Sequence, residues 1–298
     1  MKQIRRLQGE YSGMEEKNIN IQDKNKKVSN INLKVLTFPE FSKTNMVSHL
    51  FSTKTGGCSR GIFRAMNLGF NLGDTGENVI ENHRRIAEVL GTEIEKVVRP
   101  CENHTSNVEV ITEDIFRDKM LKGAPTEPFD YGVDGMVTNI PGIAISVFAS
   151  DCVPIFFLDT EKKAIGICHS GWKGTAKRIG GNTVAKMIET FGSNPSDIIC
   201  GIGPCICRAC YEISVDVADV FKDEFGKKSV EILDDKGNGK YQLDLKLTNK
   251  IILQEAGIKS ENIFVGDVCT CCNSEMLFSH RATDGRRGNN GGFIMLKK

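Results

Sequence analysis

Three short apolar runs that follow one another closely constrain the fold of this chain more than any other feature. They cover residues 142–148, 153–158 and 164–168 and are rich in Val, Ile and Phe. Runs of this length and composition predict buried β-strands. The chain therefore needs a β-sheet core whose faces are covered by other elements.

Helical periodicity occurs between the strand-like runs, but without regular alternation. It predicts helices over 77–90, 175–191, 214–225 and 245–256. Asp74 or Thr75 and Gly91 are start and stop signals for the first helix, whereas Gly180 and Gly181 weaken the middle of the second. These helices are too few for a (β/α)8 barrel. We predict an α+β (mixed α/β) fold, a single domain in which mixed β-sheets form the core and helices pack outside.

The composition changes once along the chain, near residue 34. Residues 1–33 are rich in Lys, Asn, Glu and Gln and contain few large apolar residues. Such a segment cannot bury enough apolar surface to offset its ordering entropy, so we expect a poorly ordered N-terminal arm. Residues 34–298 contain no linker or low-complexity block and are predicted to form the one globular domain.

Charge and hydropathy exclude several classes of protein. The 39 Lys and Arg residues nearly balance the 38 Asp and Glu residues, which argues against a nucleic-acid binder. No stretch approaches the roughly 18 uninterrupted apolar residues of a membrane span, and the charged start is not typical of a secretory signal. We expect a soluble, cytoplasmic, monomeric protein that binds neither nucleic acid nor membrane.

The chain has eleven Cys and five His. Without a secretory signal, an odd and high Cys count does not predict a disulfide framework, so the thiols are core residues, metal ligands or nucleophiles. Cys207 and Cys210 have Cys-x-x-Cys spacing, but a structural zinc site usually draws two matched pairs. We therefore interpret one group of six thiols as packed or incidental: Cys205, Cys207, Cys210, Cys269, Cys271 and Cys272.

Three polar segments are candidates for chemistry. Cys152 lies between two strand runs, where Pro154 is predicted to interrupt the ladder because it has no N–H. His169 stands where a strand ends and a helix begins, and His104 precedes another strand. Each residue has a plain alternative: a buried small thiol, a histidine bonded to the backbone, and a surface histidine. Together, one Cys and two His match a catalytic zinc site with an open fourth position, with copper as competitor. The residues alone leave these alternatives open.

An ordered set of motifs resembles the YfiH/YlmD family, also called the laccase-domain or polyphenol oxidoreductase family. The resemblance runs from about residue 47 to the C-terminus. Besides the His104 segment it rests on Phe51-Ser-Thr-Lys-Thr-Gly-Gly, Asn67-Leu-Gly, Asp134-Gly-Met-Val-Thr, Ser150-Asp-Cys-Val-Pro, His169-Ser-Gly-Trp-Lys-Gly-Thr, Gly201-Ile-Gly-Pro-Cys-Ile, Tyr211-Glu, Cys269-Thr and Phe278-Ser-His-Arg.

The resemblance implies a single domain of mixed sheets with outer helices. It implies a zinc site on His104, Cys152 and His169, which would also be the catalytic residues. Family members are described as purine nucleoside phosphorylases that act with phosphate on adenosine, inosine and methylthioadenosine, and that also have adenosine deaminase activity. The older family label is copper-dependent laccase. Purine nucleosides and phosphate are therefore the expected small-molecule partners.

The chain departs from the family pattern at several positions. Glu102 replaces the Gln of Gln-x-His, and Lys54 and Lys173 replace two arginines. Arg binds phosphate as a planar fork, whereas Lys acts as a point charge. Our candidates for phosphate or leaving-group contacts are Lys54, Lys173 and Arg281, and a solvated surface charge is the alternative for each.

The same Cys and His residues are compatible with three functions other than the phosphorylase. Five His without a His-x-His pair cannot supply a multicopper centre, although one copper at the Cys/His site would allow weak polyphenol oxidation. A metal-free thiol hydrolase would use Cys152 as nucleophile and His169 as base. A non-enzymatic zinc-binding module for a partner protein is less favoured, because structural zinc usually has four protein ligands.

Overall fold

The β-strands supply most of the framework. The computed structural model describes residues 20–24, 32–121 and 132–298. Its strands are β1 (Asn20–Lys24), β2 (Leu33–Thr37), β3 (Val47–Ser52), β4 (Val97–Val98), β5 (Val108–Val110), β6 (Gly135–Thr138), β7 (Ala144–Ala149), β8 (Val153–Asp159), β9 (Ala164–Ser170), β10 (Ile198–Ile202), β11 (Glu212–Ser214), β12 (Leu233–Gly237), β13 (Lys240–Leu243), β14 (Ile263–Val265) and β15 (Asn290–Leu296).

The helices lie outside the sheets. They are α1 (Pro39–Lys43), α2 (Gly76–Leu90), α3 (Glu113–Leu121), α4 (Trp172–Ala176), α5 (Ile179–Phe191), α6 (Val215–Phe225), α7 (Ser229–Ile232) and α8 (Leu245–Glu255). None of the helices in the described ranges combines the length and the apolar composition that a bilayer crossing requires.

The strands form two six-stranded sheets and one three-stranded sheet. The first large sheet has the order β1-β2-β3-β15-β7-β4, the second β14-β10-β8-β9-β6-β5, and the small sheet β11-β13-β12. Most pairs are antiparallel, but β4 runs parallel to β7, β5 to β6, and β14 to β10. The predicted α+β fold with mixed sheets is confirmed. The three runs that constrained the fold are β7, β8 and β9.

Alternate residues of β8 show how the layers pack. Phe156 and Leu158 join a buried cluster between the two large sheets, which also contains Ile145 and Ile294 of the first sheet. The next residues along β8 point to the opposite face and pack with α5, α6 and α8. The outer face of the first sheet packs against α2. Because both sheets are covered on both faces, their strands are apolar almost throughout.

Capping residues set the ends of the predicted helices. Thr75 accepts the N–H of Asn78 at the start of α2, and Gly91 ends that helix with a φ of 86°. At the start of α8, the carboxylate of Asp244 accepts the N–H of Leu247. Side-chain acceptors at the start and a left-handed glycine at the end satisfy backbone groups that the helix leaves unpaired. Both predicted helices are confirmed.

The helix predicted over 175–191 is instead two helices. The break lies before α5 at Arg178, which adopts a left-handed φ of 58°, and not at Gly180 or Gly181. The guanidinium of Arg178 bonds to Glu224 and Glu255, which hold this conformation from two other helices. A Cβ at Gly180 or Gly181 would lie 3.9 or 3.5 Å from the Ile252 side chain, an ordinary van der Waals distance, so the contact between α5 and α8 does not require the glycine pair.

Two other predictions concern strand ends and the arm. Pro154 does not interrupt the ladder: it is the second residue of β8, lies opposite His169, and accepts the N–H of Gly203 through its carbonyl.

Most of the arm predicted over residues 1–33 lies outside the described residues. Within it, Asn20–Lys24 pairs antiparallel with β2, which begins at Leu33.

Candidate active site

His104, Cys152 and His169 meet at one end of the second large sheet. Val153 lies opposite Ser170, so Cys152 and His169 lie together at the open end of the β8–β9 hairpin. His104 reaches them from the loop between β4 and β5. The ligand atoms of all three lie within 4.8 Å of one another. The structure thus brings together three residues that are far apart in the sequence.

The carboxylate of Asp134 orients two of these residues. Its Oδ1 lies 2.9 Å from Nδ1 of His169 and accepts the backbone N–H of His104 at 3.0 Å. Its Oδ2 accepts the N–H and the hydroxyl of Thr105 at 2.8 and 2.7 Å. Burial opposes ionisation of Asp134, but these bonds and the charge of His169 lower its pKa to about 2. With Nδ1 of His169 bound to Asp134, its Nε2 is left for Cys152 or a metal ion.

Cys152 is disposed to ionise. Burial raises the pKa of its thiol, but the charge of His169 and hydrogen bonds from both histidines outweigh burial and lower it to about 6. Burial alone would lower the pKa of His169, yet Cys152 and Asp134 raise it well above its ordinary value. A thiolate between two imidazoles can bind a soft or borderline metal ion, or act as a nucleophile.

The backbone on either side of the site is in the left-handed region. His104 has a φ of 56° and Asp151 a φ of 97°, a conformation that costs energy for non-glycine residues and persists only where contacts hold it. Asp151 accepts the Thr270 hydroxyl at 2.5 Å and the Arg281 N–H at 2.7 Å, and its carbonyl accepts the N–H of Ile206. These contacts fix the segment that presents Cys152.

Gly171 leaves the space that the side chains of Cys152 and His104 occupy. It lies between β9 and α4, and a Cβ there would meet Sγ of Cys152 and Cδ2 of His104, each at 2.9 Å. Its φ of −72° is open to any residue. This glycine therefore provides space for these two side chains, and its backbone conformation does not require glycine.

The ammonium groups of the two candidate lysines contact other parts of the chain. The ammonium of Lys54 donates to the carbonyl of Ser274 at 2.5 Å and lies 4.9 Å from the centre of the Phe278 ring, and burial lowers its pKa against the opposing charge of Glu275. Lys173 is exposed and lies over Trp172. In the described part of the chain, neither ammonium is hydrogen-bonded to His104, Cys152 or His169.

Arg281 contacts the residue that precedes Cys152. Its backbone N–H binds Asp151, next to Cys152. Its guanidinium donates to the carbonyls of Cys210 and Glu212 at 3.1 and 2.9 Å and lies 5.5 Å from the Tyr211 ring centre. Burial and then the charge of Cys152 raise the pKa of Tyr211, which places this ring within electrostatic reach of the thiol.

Arg287 was not singled out from the sequence. Ser150 and Arg287 both donate to Oδ1 of Asn289, at 3.0 and 2.6 Å, so the guanidinium lies one side chain away from the Cys152 segment. Burial lowers the pKa of Arg287, while the charges of Asp151 and Cys152 oppose that shift. Its buried Nε has no hydrogen-bond acceptor among the described residues.

Glu102 also lies against the centre. Its carboxylate accepts the backbone N–H of Phe148 at 2.5 Å. Burial raises its pKa to about 7, partly offset by the charge of His169. Neither Glu102 nor Asp134 is predicted as a site residue, because the sequence alone does not show that either carboxylate is buried beside a histidine.

Comparison with known proteins agrees with these motifs. The family model described as multi-copper polyphenol oxidoreductase laccase matches residues 48–297. The chain belongs to this family. It is 34% identical over 248 residues to YlmD of Bacillus subtilis (strain 168), which is named a purine nucleoside phosphorylase; the match covers 83% of this chain and 88% of YlmD.

Two further relatives extend the comparison. The adenosine deaminase RL5, from an unknown prokaryotic organism, is 31% identical over 254 residues, covering 85% of this chain and 94% of RL5. The crystal structure of YfiH from Bacillus licheniformis, described as a hypothetical protein, superposes with a TM-score of 0.83 at 32% identity, covering 88% of this chain and 96% of that one.

Proposed function

We propose that this chain is a zinc-dependent purine nucleoside phosphorylase that also deaminates adenosine. The observation that carries the proposal is the convergence of His104, Cys152 and His169 within 4.8 Å, with Asp134 orienting His169. The names of YlmD and RL5 support the two reactions. Purine nucleosides and inorganic phosphate are the proposed substrates.

The donor set fits a catalytic zinc ion. Two imidazoles and one thiolate leave a fourth position for substrate or water, and Asp134 supplies the carboxylate that typically supports a ligating histidine. Zinc bound there would supply a Lewis acid and lower the pKa of a bound water. Copper competes for the same donors, but His49 and His83 lie buried in the core and His280 is exposed. Too few histidines remain for a multicopper centre.

Arginine side chains would provide the charge for phosphorolysis. The C1′–N9 bond breaks as a phosphate oxygen bonds to C1′, and the electron pair passes to the purine, which takes up a proton. The sugar acquires positive charge in the transition state, which the attacking phosphate anion stabilises. Fixed cations would hold that anion in place without having to reorganise. Arg281 and Arg287 border the Cys152 segment and are the proposed phosphate contacts. Lys54 and Lys173 remain predictions for the same role.

A metal-free thiol hydrolase is the second candidate. The lowered pKa of Cys152, next to an Asp134-supported His169, is the arrangement of an activated nucleophile and its base. Loss of activity on alkylation of active, metal-free protein would favour this function, as would turnover that persists after chelation.

The deciding experiment measures adenosine turnover by the purified chain, with and without phosphate, with adenine, inosine and hypoxanthine resolved chromatographically. We expect phosphate-dependent adenine release together with some inosine. Cys152→Ala should abolish both products and remove the bound zinc, because the thiolate is lost from the ligand set. Cys58→Ser is the matched control. Cys58 is half-buried and is not one of the three residues His104, Cys152 and His169, so this variant should keep full activity.

Other results would count against the proposal. Inosine as the sole product would leave only the deaminase. No product under either condition would remove the phosphorylase, and full turnover by Cys152→Ala would remove the metal mechanism. Oxidation of a phenol by copper-loaded protein without nucleoside turnover would favour the polyphenol oxidoreductase.

A further inference from the structure

Two Cys-x-x-Cys pairs lie side by side next to the small sheet. Cys207 and Cys210 span the turn before β11, and Cys269 and Cys272 follow β14. The two segments are aligned by a bridge between Cys205 and Cys269. All four sulfur atoms of the pairs lie within 4.8 Å of one another. The structure thus corrects our interpretation of these thiols as packed or incidental, because the second matched pair was present in the sequence and not recognised.

The spacing of the sulfur atoms fits one tetrahedral ion. With zinc–sulfur bonds of about 2.3 Å, the sulfurs of a tetrahedral site lie about 3.8 Å apart. Sγ of Cys272 lies 3.4 Å from that of Cys210 and 4.0 Å from that of Cys207. A cluster of several irons and sulfides would hold its four thiolates farther apart, so the arrangement favours a single ion.

Three of the four thiols are less buried than the core cysteines, whereas Cys269 is buried. Cys168 and Cys200 are fully buried among apolar side chains. In contrast, Cys272 is exposed, and Cys207 and Cys210 are only half-buried. Cys207, Cys210 and Cys272 are accessible to solvent, so burial in the apolar core does not by itself explain why the four thiols meet.

Backbone groups already support one sulfur as a thiolate. Sγ of Cys269 accepts the N–H of Cys207 at 3.3 Å and the N–H of Cys272 at 3.4 Å. One donor comes from each pair, so the two segments are held in register at this atom. Bonds of this kind orient a ligand and offset the negative charge that a thiolate brings to a metal site.

We propose that Cys207, Cys210, Cys269 and Cys272 bind a second metal ion, a structural zinc, separate from the site on His104, Cys152 and His169. Four thiolates close the coordination sphere, which is typical of a structural site. The thiols release their protons to solvent as the ion binds.

The second ion would also stabilise the part of the chain that borders the proposed active site. Thr270, next to Cys269, donates its hydroxyl to Asp151. Arg281 donates to the carbonyl of Cys210. Arg281 also donates its backbone N–H to Asp151, so an ion that joins the two Cys-x-x-Cys pairs also fixes two residues that contact the segment before Cys152.

The experiment counts zinc in the full chain, expressed with added zinc and measured by inductively coupled plasma mass spectrometry. We expect about two equivalents in the wild type, about one in Cys152→Ala, about one in Cys272→Ser and none in the double variant. Cys271→Ser is the matched control: Cys271 is the neighbour of Cys272 but lies outside the four-thiol group, so this variant should keep both ions.

A second measurement does not depend on how Cys272→Ser folds. X-ray absorption at the zinc edge of Cys152→Ala should show four sulfur ligands and no nitrogen. A wild type with one zinc that Cys152→Ala removes completely would overturn the proposal. Two zinc ions in Cys272→Ser, iron in place of zinc, or a Cys210–Cys272 disulfide in the reduced preparation would do the same. Each of the two sites has its own variant. The absence of zinc at the four cysteines can therefore be distinguished from a failure of the proposed phosphorylase.

Discussion

Among single residues, Arg287 offers the sharpest test of how phosphate is bound. Its guanidinium is half-buried beside the Cys152 segment, and its Nε has no acceptor among the described residues. Charge-assisted bonds to phosphate are worth about 1.5–3 kcal/mol. Arg287→Ala should therefore raise the phosphate concentration for half-maximal adenosine phosphorolysis about 10- to 100-fold, with a smaller effect on the adenosine requirement. Steady-state kinetics with each substrate varied in turn measure both.

Lys54→Ala provides the comparison for Arg287→Ala. We expect it also to raise the phosphate requirement more than the nucleoside requirement, but less than Arg287→Ala, because the ammonium of Lys54 already donates to the Ser274 carbonyl. Equal effects on both substrates would remove Lys54 from the phosphate site. An unchanged phosphate requirement in Arg287→Ala would remove Arg287.

Residue chemistry explains which site residues the sequence predicted. The chain has only five His but eleven Cys, so residue chemistry makes His104, Cys152 and His169 candidates, and the family motifs favour them over the alternatives. Asp134 and Arg287 belong to abundant residue types that mostly occur on solvated surfaces. Their roles arise from burial and from neighbours that are distant in sequence, and a single sequence contains neither.

At the scale of elements, the junction of β9 and α4 limits where the side chains of Cys152 and His104 can lie. Gly171→Ala keeps an allowed backbone but places a Cβ 2.9 Å from the nearest atoms of Cys152 and His104. Overpacking of this kind costs about 1–3 kcal/mol, so zinc affinity at this site should fall about 10- to 100-fold. Competition with a chromophoric chelator measures the affinity, and turnover should fall with zinc occupancy.

The control for Gly171→Ala is Gly76→Ala. Gly76 is the first residue of α2, and a Cβ there would meet no heavy atom within 4 Å. Zinc affinity and turnover should match the wild type. If Gly171→Ala binds zinc as tightly as Gly76→Ala, the ligands do not need the space that this glycine leaves.

Element prediction succeeded where the signals were local. The caps Thr75 and Asp244 and the terminator Gly91 defined two helices, because capping depends on neighbours in sequence. The break at Arg178 was missed, because its left-handed conformation accompanies bonds to Glu224 and Glu255 from distant helices. The short strands β11, β12 and β13 were also missed: β12 is largely polar and exposed, and β13 has only one fully buried residue.

At the scale of the whole molecule, strand order was not predictable from the sequence. The apolar runs predicted buried strands, but β15, near the C-terminus, lies between β3 and β7. Such pairing joins residues far apart in the chain, and every apolar strand offers similar backbone partners. The strand order depends on how the side chains of the two sheets pack between them. The hydrophobic periodicity of the sequence does not predict that packing.

The interface between the two large sheets should carry much of the stability on which the site depends. Phe156 is fully buried there, with its ring 5.6 Å from that of Phe38. Phe156→Ala leaves a cavity and should lower the free energy of unfolding by about 3–5 kcal/mol, measured by urea denaturation at fixed zinc concentration. Val230→Ala, at a residue 78% exposed on α7, should change it by less than about 0.5 kcal/mol. A loss in Phe156→Ala as small as this control would mean that the sheets are held together elsewhere.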